Sequence, residues 1–277
     1  MTARGLGMGL VTVLGLARRG FFIPYRYADR LPPGGGEPYG RIAELFAASA
    51  AAFRDTLAAI EAVAGDLEAL GEGAPPAPRW RQDWFPRLDA AVAYALVRRQ
   101  APARIVEVGA GHSTRFIARA VADGAIACRI TVIDPEPRAA LDGLALDLVR
   151  APVQEAGLEA FAALVPGDML IIDSSHVLMP GSDVDFVLNR ALPELAAGVL
   201  VHFHDVFLPW DYPAEWAWRG YNEQAALGPL LMGGGYEALF ASRYALAEMG
   251  AAVMATVVAR LPLLEGARES SLWLRKV

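Results

Sequence analysis

The segment Arg104-Ile-Val-Glu-Val-Gly-Ala-Gly-His-Ser-Thr114 constrains the fold more than any other part of the chain. A short apolar run passes directly into two glycines, and a helical pattern begins at Ser113. A strand that turns so sharply into a helix is the opening unit of an α/β sheet. The alternation continues downstream. Apolar runs at Arg129–Asp134, Leu146–Arg150, Met169–Asp173 and Val199–His204 predict strands, with helices over Ser113–Ala122, Leu158–Leu164 and Asp183–Leu195. Nearly continuous apolar runs are expected of strands covered on both faces. Several runs end in polar groups: Asp134, Asp173, and His204 with Asp205. These groups mark one edge of the sheet, the edge where open α/β sheets bind ligands. A helix near Glu223–Leu231 and strands at Tyr236–Ser242 and Ser270–Val277 complete the pattern.

Residues 1–79 read as an N-terminal helical extension, and 80–277 as the α/β domain. In the extension, Leu31–Gly36 is a loop, and Arg41 to Leu70 is one long Ala-rich helix or two shorter ones. Gly71–Pro78 is a linker rich in Gly and Pro. A helix from Pro86 to Arg99 begins with Pro at a favoured first-turn position.

Glycine at 109 and 111 permits unusual backbone angles and close approach of a ligand to the main chain. Dinucleotide enzymes use the same device, but two residues separate the readings. A third Gly is needed where the helix packs beside a pyrophosphate, and Thr114 stands there. Glu107, two residues before the first Gly, is a poor neighbour for a phosphate and a suitable one for an ammonium. S-adenosylmethionine (SAM) carries an ammonium and a sulfonium and no phosphate. Asp134, at the end of the next strand, can accept both hydroxyls of a ribose, or cap the following backbone.

All four histidines lie in this half: His112, His176, His202 and His204. His202 and His204 share one face of a strand by period-2 spacing. His204 is nearer the ligand edge, and His202 reads as a core residue. Asp173, His176, His204 and Asp205 converge if both strand ends open on one crevice. Two chemistries then fit. A histidine oriented by a carboxylate removes a proton from an acceptor, or Asp173, Asp205 and His204 hold a divalent metal that acidifies the acceptor hydroxyl.

These residues resemble a known group. Val106-Glu-Val-Gly-Ala-Gly-His-Ser-Thr-Arg-Phe116 resembles motif I of class I SAM-dependent methyltransferases, and more closely the bacterial methyltransferase-24 family. Ile133–Arg138, Gly167–Val177, Ser182–Val184, Gly198–Val206, Pro209–Pro213 and Asn222-Glu-Gln224 extend the similarity over roughly residues 80–242. The resemblance implies a Rossmann-like seven-stranded sheet with helices on both faces and its last strand inserted antiparallel. It implies a SAM site built from Glu107, Gly109, Ala110, Gly111, Ser113, Asp134, Gln154 and Asp173, with Asp134 on the ribose and Gln154 at the adenine. It implies methyl transfer to a small-molecule acceptor, with a hydroxyl oxygen preferred and His176, His204 and Asp205 as catalytic groups. Metal-dependent relatives of the catechol type carry Asp-Asn after the fifth strand. Here Asp205-Val206 stands instead, so a metal is not carried over with the resemblance. A metal-dependent oxidative enzyme on the same fold, a nicotinamide-dependent oxidoreductase and a SAM-binding protein without catalysis are the other readings.

Composition narrows the setting. A formal net charge of -6 argues against a broad nucleic-acid footprint. Cys128 is the single cysteine, so no intrachain disulfide forms, which suits a reducing cytoplasm. The Arg-rich composition suits a bacterial source. The stretch from Leu6 to Ala17 is apolar but shorter than the ~20 residues of a membrane span, and it reads as a docked or surface-lying helix. The N-terminal helices would complete the acceptor pocket or form a homodimer contact.

Overall fold

The computed structural model describes residues 3–31, 36–71 and 73–277. The expected loop at Leu31–Gly36 and the linker at Gly71–Pro78 lie in part outside them.

Seven strands form one sheet: β1 (Arg104–Val108), β2 (Arg129–Ile133), β3 (Asp147–Val149), β4 (Met169–Ile172), β5 (Leu200–Phe203), β6 (Tyr236–Ala241) and β7 (Leu272–Lys276). Their order is β3-β2-β1-β4-β5-β7-β6. The first five run parallel, and β7 lies antiparallel between β5 and β6. This is the sheet that the resemblance to class I methyltransferases implies. β1 and β4 are buried along almost their whole length, and the apolar residues on both their faces account for it.

Register explains why the polar strand ends meet. Val108 pairs with Ile133 and with Ile172, and Ile172 pairs with Phe203. The next residues, Gly109, Asp134, Asp173 and His204, therefore leave the sheet in one row.

The principal helices are α1 (Ala3–Val13), α2 (Gly40–Ala48), α3 (Ala50–Ala62), α4 (Ala64–Ala69), α5 (Arg87–Gln100) and α6 (His112–Asp123). Residues of α2 to α6 join the buried cluster of the sheet, whereas α1 buries none of its own. The Arg41–Leu70 stretch is thus three helices, broken at Ser49 and Val63. α2 to α4 are part of the main core: Ile42, Phe46, Phe53 and Ile60 belong to the same buried cluster as the sheet. Phe53 meets the Phe240 ring at 5.4 Å, and Thr56 donates to the Leu239 carbonyl at 3.1 Å. The boundary expected at 79/80 therefore does not separate two cores. The expected helix over Asp183–Leu195 changes character along its length, with π-helix over Val187–Ala191. Two helices at Ser242–Glu248 and Gly250–Met254 were not expected from the pattern.

Candidate active site

The row of strand ends opens on a crevice of about 870 Å³. One flank is the glycine loop. Gly109 has φ +86°, and a Cβ there would strike the Asp173 carbonyl, so only glycine fits. Gly111 caps α6. A Cβ on it would enter open space at the crevice wall, so the backbone offers a bare cradle there. Thr114 Oγ1 accepts the Gly111 N–H at 3.0 Å. The residue that replaces the dinucleotide glycine is therefore a helix cap.

Glu107 and Ser113 lie behind this loop, outside the crevice lining. Ser113 Oγ donates to Glu107 Oε1 at 2.6 Å, which ties α6 to β1. The Glu107 carboxyl is fully buried and its Oε2 has no protein partner. Burial pushes its pKa up to about 8, despite the hydrogen bonds from Ser113 and Thr114. A cationic group near Oε2 would relieve that cost. Ser113 is a bracing residue rather than one that faces a ligand.

Asp134 accepts the Ala110 N–H at Oδ2 and the Glu136 N–H at Oδ1, both at 2.7 Å. Of the two roles read from sequence, the structure shows the backbone cap. The carboxylate caps backbone, and it still lines the crevice with lone pairs to spare. Gln154, also on the lining, donates its Nε2 to the Gly181 carbonyl at 3.0 Å.

The opposite flank gathers the acids and imidazoles. His176 and Asp205 are non-glycine residues at positive φ, +58° and +52°, a strain that holds both side chains over the sheet edge. His176 Nε2 lies 3.4 Å from Asp173 Oδ1 and 3.6 Å from Asp205 Oδ2. His204 Nδ1 lies 3.5 Å from each of Asp173 and Asp205. All four groups read from the sequence therefore meet. His202, also expected to be core, is fully buried with Nε2 2.9 Å from Ser271 Oγ. Burial holds its pKa down at about 3.

Sequence reasoning missed the carboxylate behind each imidazole. Glu223 Oε2 is 2.9 Å from His176 Nδ1, and Asp89 Oδ2 is 3.4 Å from His204 Nε2. Asp89 is fully buried on α5 and accepts the backbone N–H groups of Ser270 and Ser271 at 2.9 and 3.0 Å. Beside it, Arg87 forms a two-point ion pair with Glu269. Burial alone would lower both histidine pKa values. The facing carboxylates, Asp173 foremost, raise both well above the ordinary imidazole value. Asp173 is correspondingly held well below the usual carboxylate range: burial raises it, but His204 and His176 more than offset this.

The Asn222-Glu-Gln224 element pins three parts of this flank. Asn222 brackets Leu178, accepting its N–H at 2.6 Å and donating to its carbonyl at 3.2 Å. Glu223 orients His176. Gln224 accepts the Phe207 N–H at 2.8 Å and donates to the Trp210 carbonyl at 3.1 Å, which anchors the aromatic loop. That loop brings Trp216, Trp218, Arg219 and Tyr221 to the crevice, with the Arg219 guanidinium 4.1 Å from the centre of the Trp216 ring. Tyr221 packs on His176 at 4.6 Å.

Residues 106–206 match the family model for a methyltransferase domain, methyltransferase-24. No curated protein matches the chain. Among solved structures, it is similar to an SAH-bound methyltransferase from Podospora anserina, at 14% identity over 93% of this chain and 99% of that one, TM-score 0.44. It is also similar to the O-methyltransferase TomG of Streptomyces achromogenes, involved in tomaymycin synthesis and bound to SAM, at 17% identity, 80% and 89% coverage, TM-score 0.45. An SAH-bound O-methyltransferase from Bacillus cereus is similar at 11% identity, 80% and 91% coverage, TM-score 0.42. The matched segment runs from within β1 to just past β5.

Proposed function

We propose that the protein transfers a methyl group from SAM to a hydroxyl oxygen of a small molecule, with His176 as the base. One observation carries the choice of base. His176 has its Nδ1 fixed by a 2.9 Å contact to buried Glu223, which leaves Nε2 toward the crevice. His204 has no comparable bond, because its Nε2 meets Asp89 only at 3.4 Å.

Bound SAM supplies an electrophilic methyl on its sulfonium. The bare backbone at Gly111 admits it, and buried Glu107 with its free oxygen suits its ammonium. In this reading Asp134 takes the ribose and Gln154 the adenine. Asp173 and Asp205 hold the imidazoles and present negative charge to the sulfonium side. Trp216 and Tyr221 wall the acceptor side and exclude water. His176 Nε2 accepts the hydroxyl proton, and Glu223 stabilises the resulting imidazolium. Methyl transfer is in-line, so positioning supplies much of the rate.

The divalent-metal reading rests on the same side chains. Asp173, His204 and Asp205 are engaged with one another, and among the described residues no set of three or more is arranged to hold an ion. No step here runs through a metal. A carboxylate behind each imidazole is also what metal-bound histidines have, so chelation is the necessary control. Undiminished activity in EDTA is expected, and a loss reversed by a divalent ion would overturn this point.

The reading extends to its setting: a cytoplasmic bacterial enzyme with no nucleic-acid partner. Net charge -6 and a lone Cys128 whose thiol burial pushes up to about 11 support it. Among the described residues no helix is long and apolar enough to cross a membrane. The deciding experiment incubates the protein with methyl-labelled SAM and a panel of phenols, alcohols and sugars, and locates the label by mass spectrometry. Label on nitrogen or carbon, or tight NAD binding with no SAM binding, would sink the proposal.

A further inference from the structure

More than half of the large apolar side chains exposed in the described structure lie within residues 6–31, including Leu10, Leu16, Phe21, Phe22 and Ile23. α1 buries none of its residues. It also contains Gly5, Gly7 and Gly9, and a helix of 11 residues with three glycines is a weak helix in water. Such a segment needs a covering surface. Charge identifies which one. Residues 3–31 hold Arg4, Arg18, Arg19, Arg26 and Arg30 against Asp29 alone, on a chain whose net charge is -6. Arg18 sits 5.3 Å from the Phe21 ring centre, and Arg26 and Arg30 flank Tyr27 at 5.5 and 5.6 Å. Cations interleaved with exposed aromatics suit the boundary between lipid headgroups and acyl chains.

We propose that residues 3–31 dock the protein on an anionic lipid bilayer, lying on the surface without crossing it. A second copy is the poorer occupant, because a symmetric contact would set five arginines against the same five. The segment also connects to the body at a telling place. Tyr39 donates its N–H to the Pro209 carbonyl and its hydroxyl to Asp211, each at 2.8 Å. Those residues begin the loop that carries Trp216 to Tyr221, and Trp218 on its rim is 61% exposed. The bilayer-binding segment is thereby joined to the wall of the crevice. The proposal does not depend on which atom is methylated.

The test is co-sedimentation of the full chain with vesicles of phosphatidylcholine alone and of phosphatidylcholine mixed with phosphatidylglycerol. Binding is expected on the mixed vesicles only, and it should weaken as salt rises. Replacing Arg18→Glu and Arg19→Glu should lower it at least about tenfold. Phe22→Asp should lower it too, with the thermal midpoint unchanged because Phe22 is exposed and outside the core. Equal binding to both vesicle types would overturn the charge-led proposal. Absence of vesicle binding, or a dimer that these same substitutions dissolve, would overturn it as well.

Discussion

The two flanks of the crevice are built in different ways. The glycine-loop flank comes from Glu107 to Glu136, one unbroken stretch of chain. The imidazole flank draws on Asp89 in α5, Asp173 and His176 after β4, His204 and Asp205 after β5, Glu223, and the backbone of Ser270 and Ser271. The first is set by local backbone rules, a positive φ and a helix cap. The second is set by buried charges that meet only when the sheet has closed. Substitutions in the first should therefore act on cofactor affinity and local stability. Those in the second should act on rate, pH dependence and global stability.

The largest effect expected is that of His176→Ala, which should lower kcat by about 10²- to 10⁴-fold, the range of a lost general base. SAM affinity, read by calorimetry, should stay within a few-fold. An equal loss of SAM affinity would erase the division between the flanks. His204→Ala sharpens it differently. It leaves Asp89 without its facing cation and Asp173 with His176 alone, and should cost about 3–5 kcal/mol in urea unfolding.

The pH dependence tests the same flank with a smaller effect. A base must be neutral to accept a proton, and the carboxylates raise the His176 pKa well above its ordinary value. Activity should therefore rise with pH and level off above the ordinary imidazole pKa. Glu223→Gln removes one of the raising carboxylates. Its profile should shift toward lower pH, while its plateau falls by about tenfold because the imidazolium is less stabilised. An unshifted profile would mean that Glu223 only packs.

Glu107 gives the corresponding test on the glycine-loop flank. With its pKa at about 8, the carboxyl is largely protonated at pH 7. An arriving ammonium favours the ionised form, so binding SAM should release a proton. Calorimetry in phosphate and in Tris, which differ in ionisation heat, should give different apparent enthalpies. Glu107→Gln should abolish that difference and weaken SAM by about tenfold, the worth of one charged hydrogen bond.

How much could be read in the sequence follows from the same contrast. Each of the seven strands lies within its expected range, because each is a short apolar run bounded by turn residues. The glycine loop was legible because its logic is contained in eleven consecutive residues. Asp89 and Glu223 were not, since nothing local distinguishes an acid in a helix that will face an imidazole from one that will face water. Glu223 carried a partial signal in the Asn222-Glu-Gln224 element. Asp89 carried a fainter one: a carboxylate on the all-buried stretch Arg87–Val97 must find donors somewhere. The single core shared by α2 to α4 was hidden for a related reason, because an Ala-rich helix does not announce which surface it will cover.

The smallest expected effect concerns Gln154, the residue whose role the sequence left most open. Its side-chain nitrogen gives one of its two N–H donors to the Gly181 carbonyl, which leaves Oε1 and the second N–H to bond the edge of an adenine. The side chain is exposed, so water competes for that bond, and a neutral hydrogen bond there is worth about 1 kcal/mol at most. Gln154→Ala should therefore weaken SAM by less than about fivefold and leave the apparent kcat and the pH profile untouched. A larger loss of affinity with both of those unchanged would extend the locally built flank by one residue beyond β3. A change in the pH profile would instead mean that the two flanks are coupled through Gly181 and the loop that carries Asp183 to the Ser175 hydroxyl.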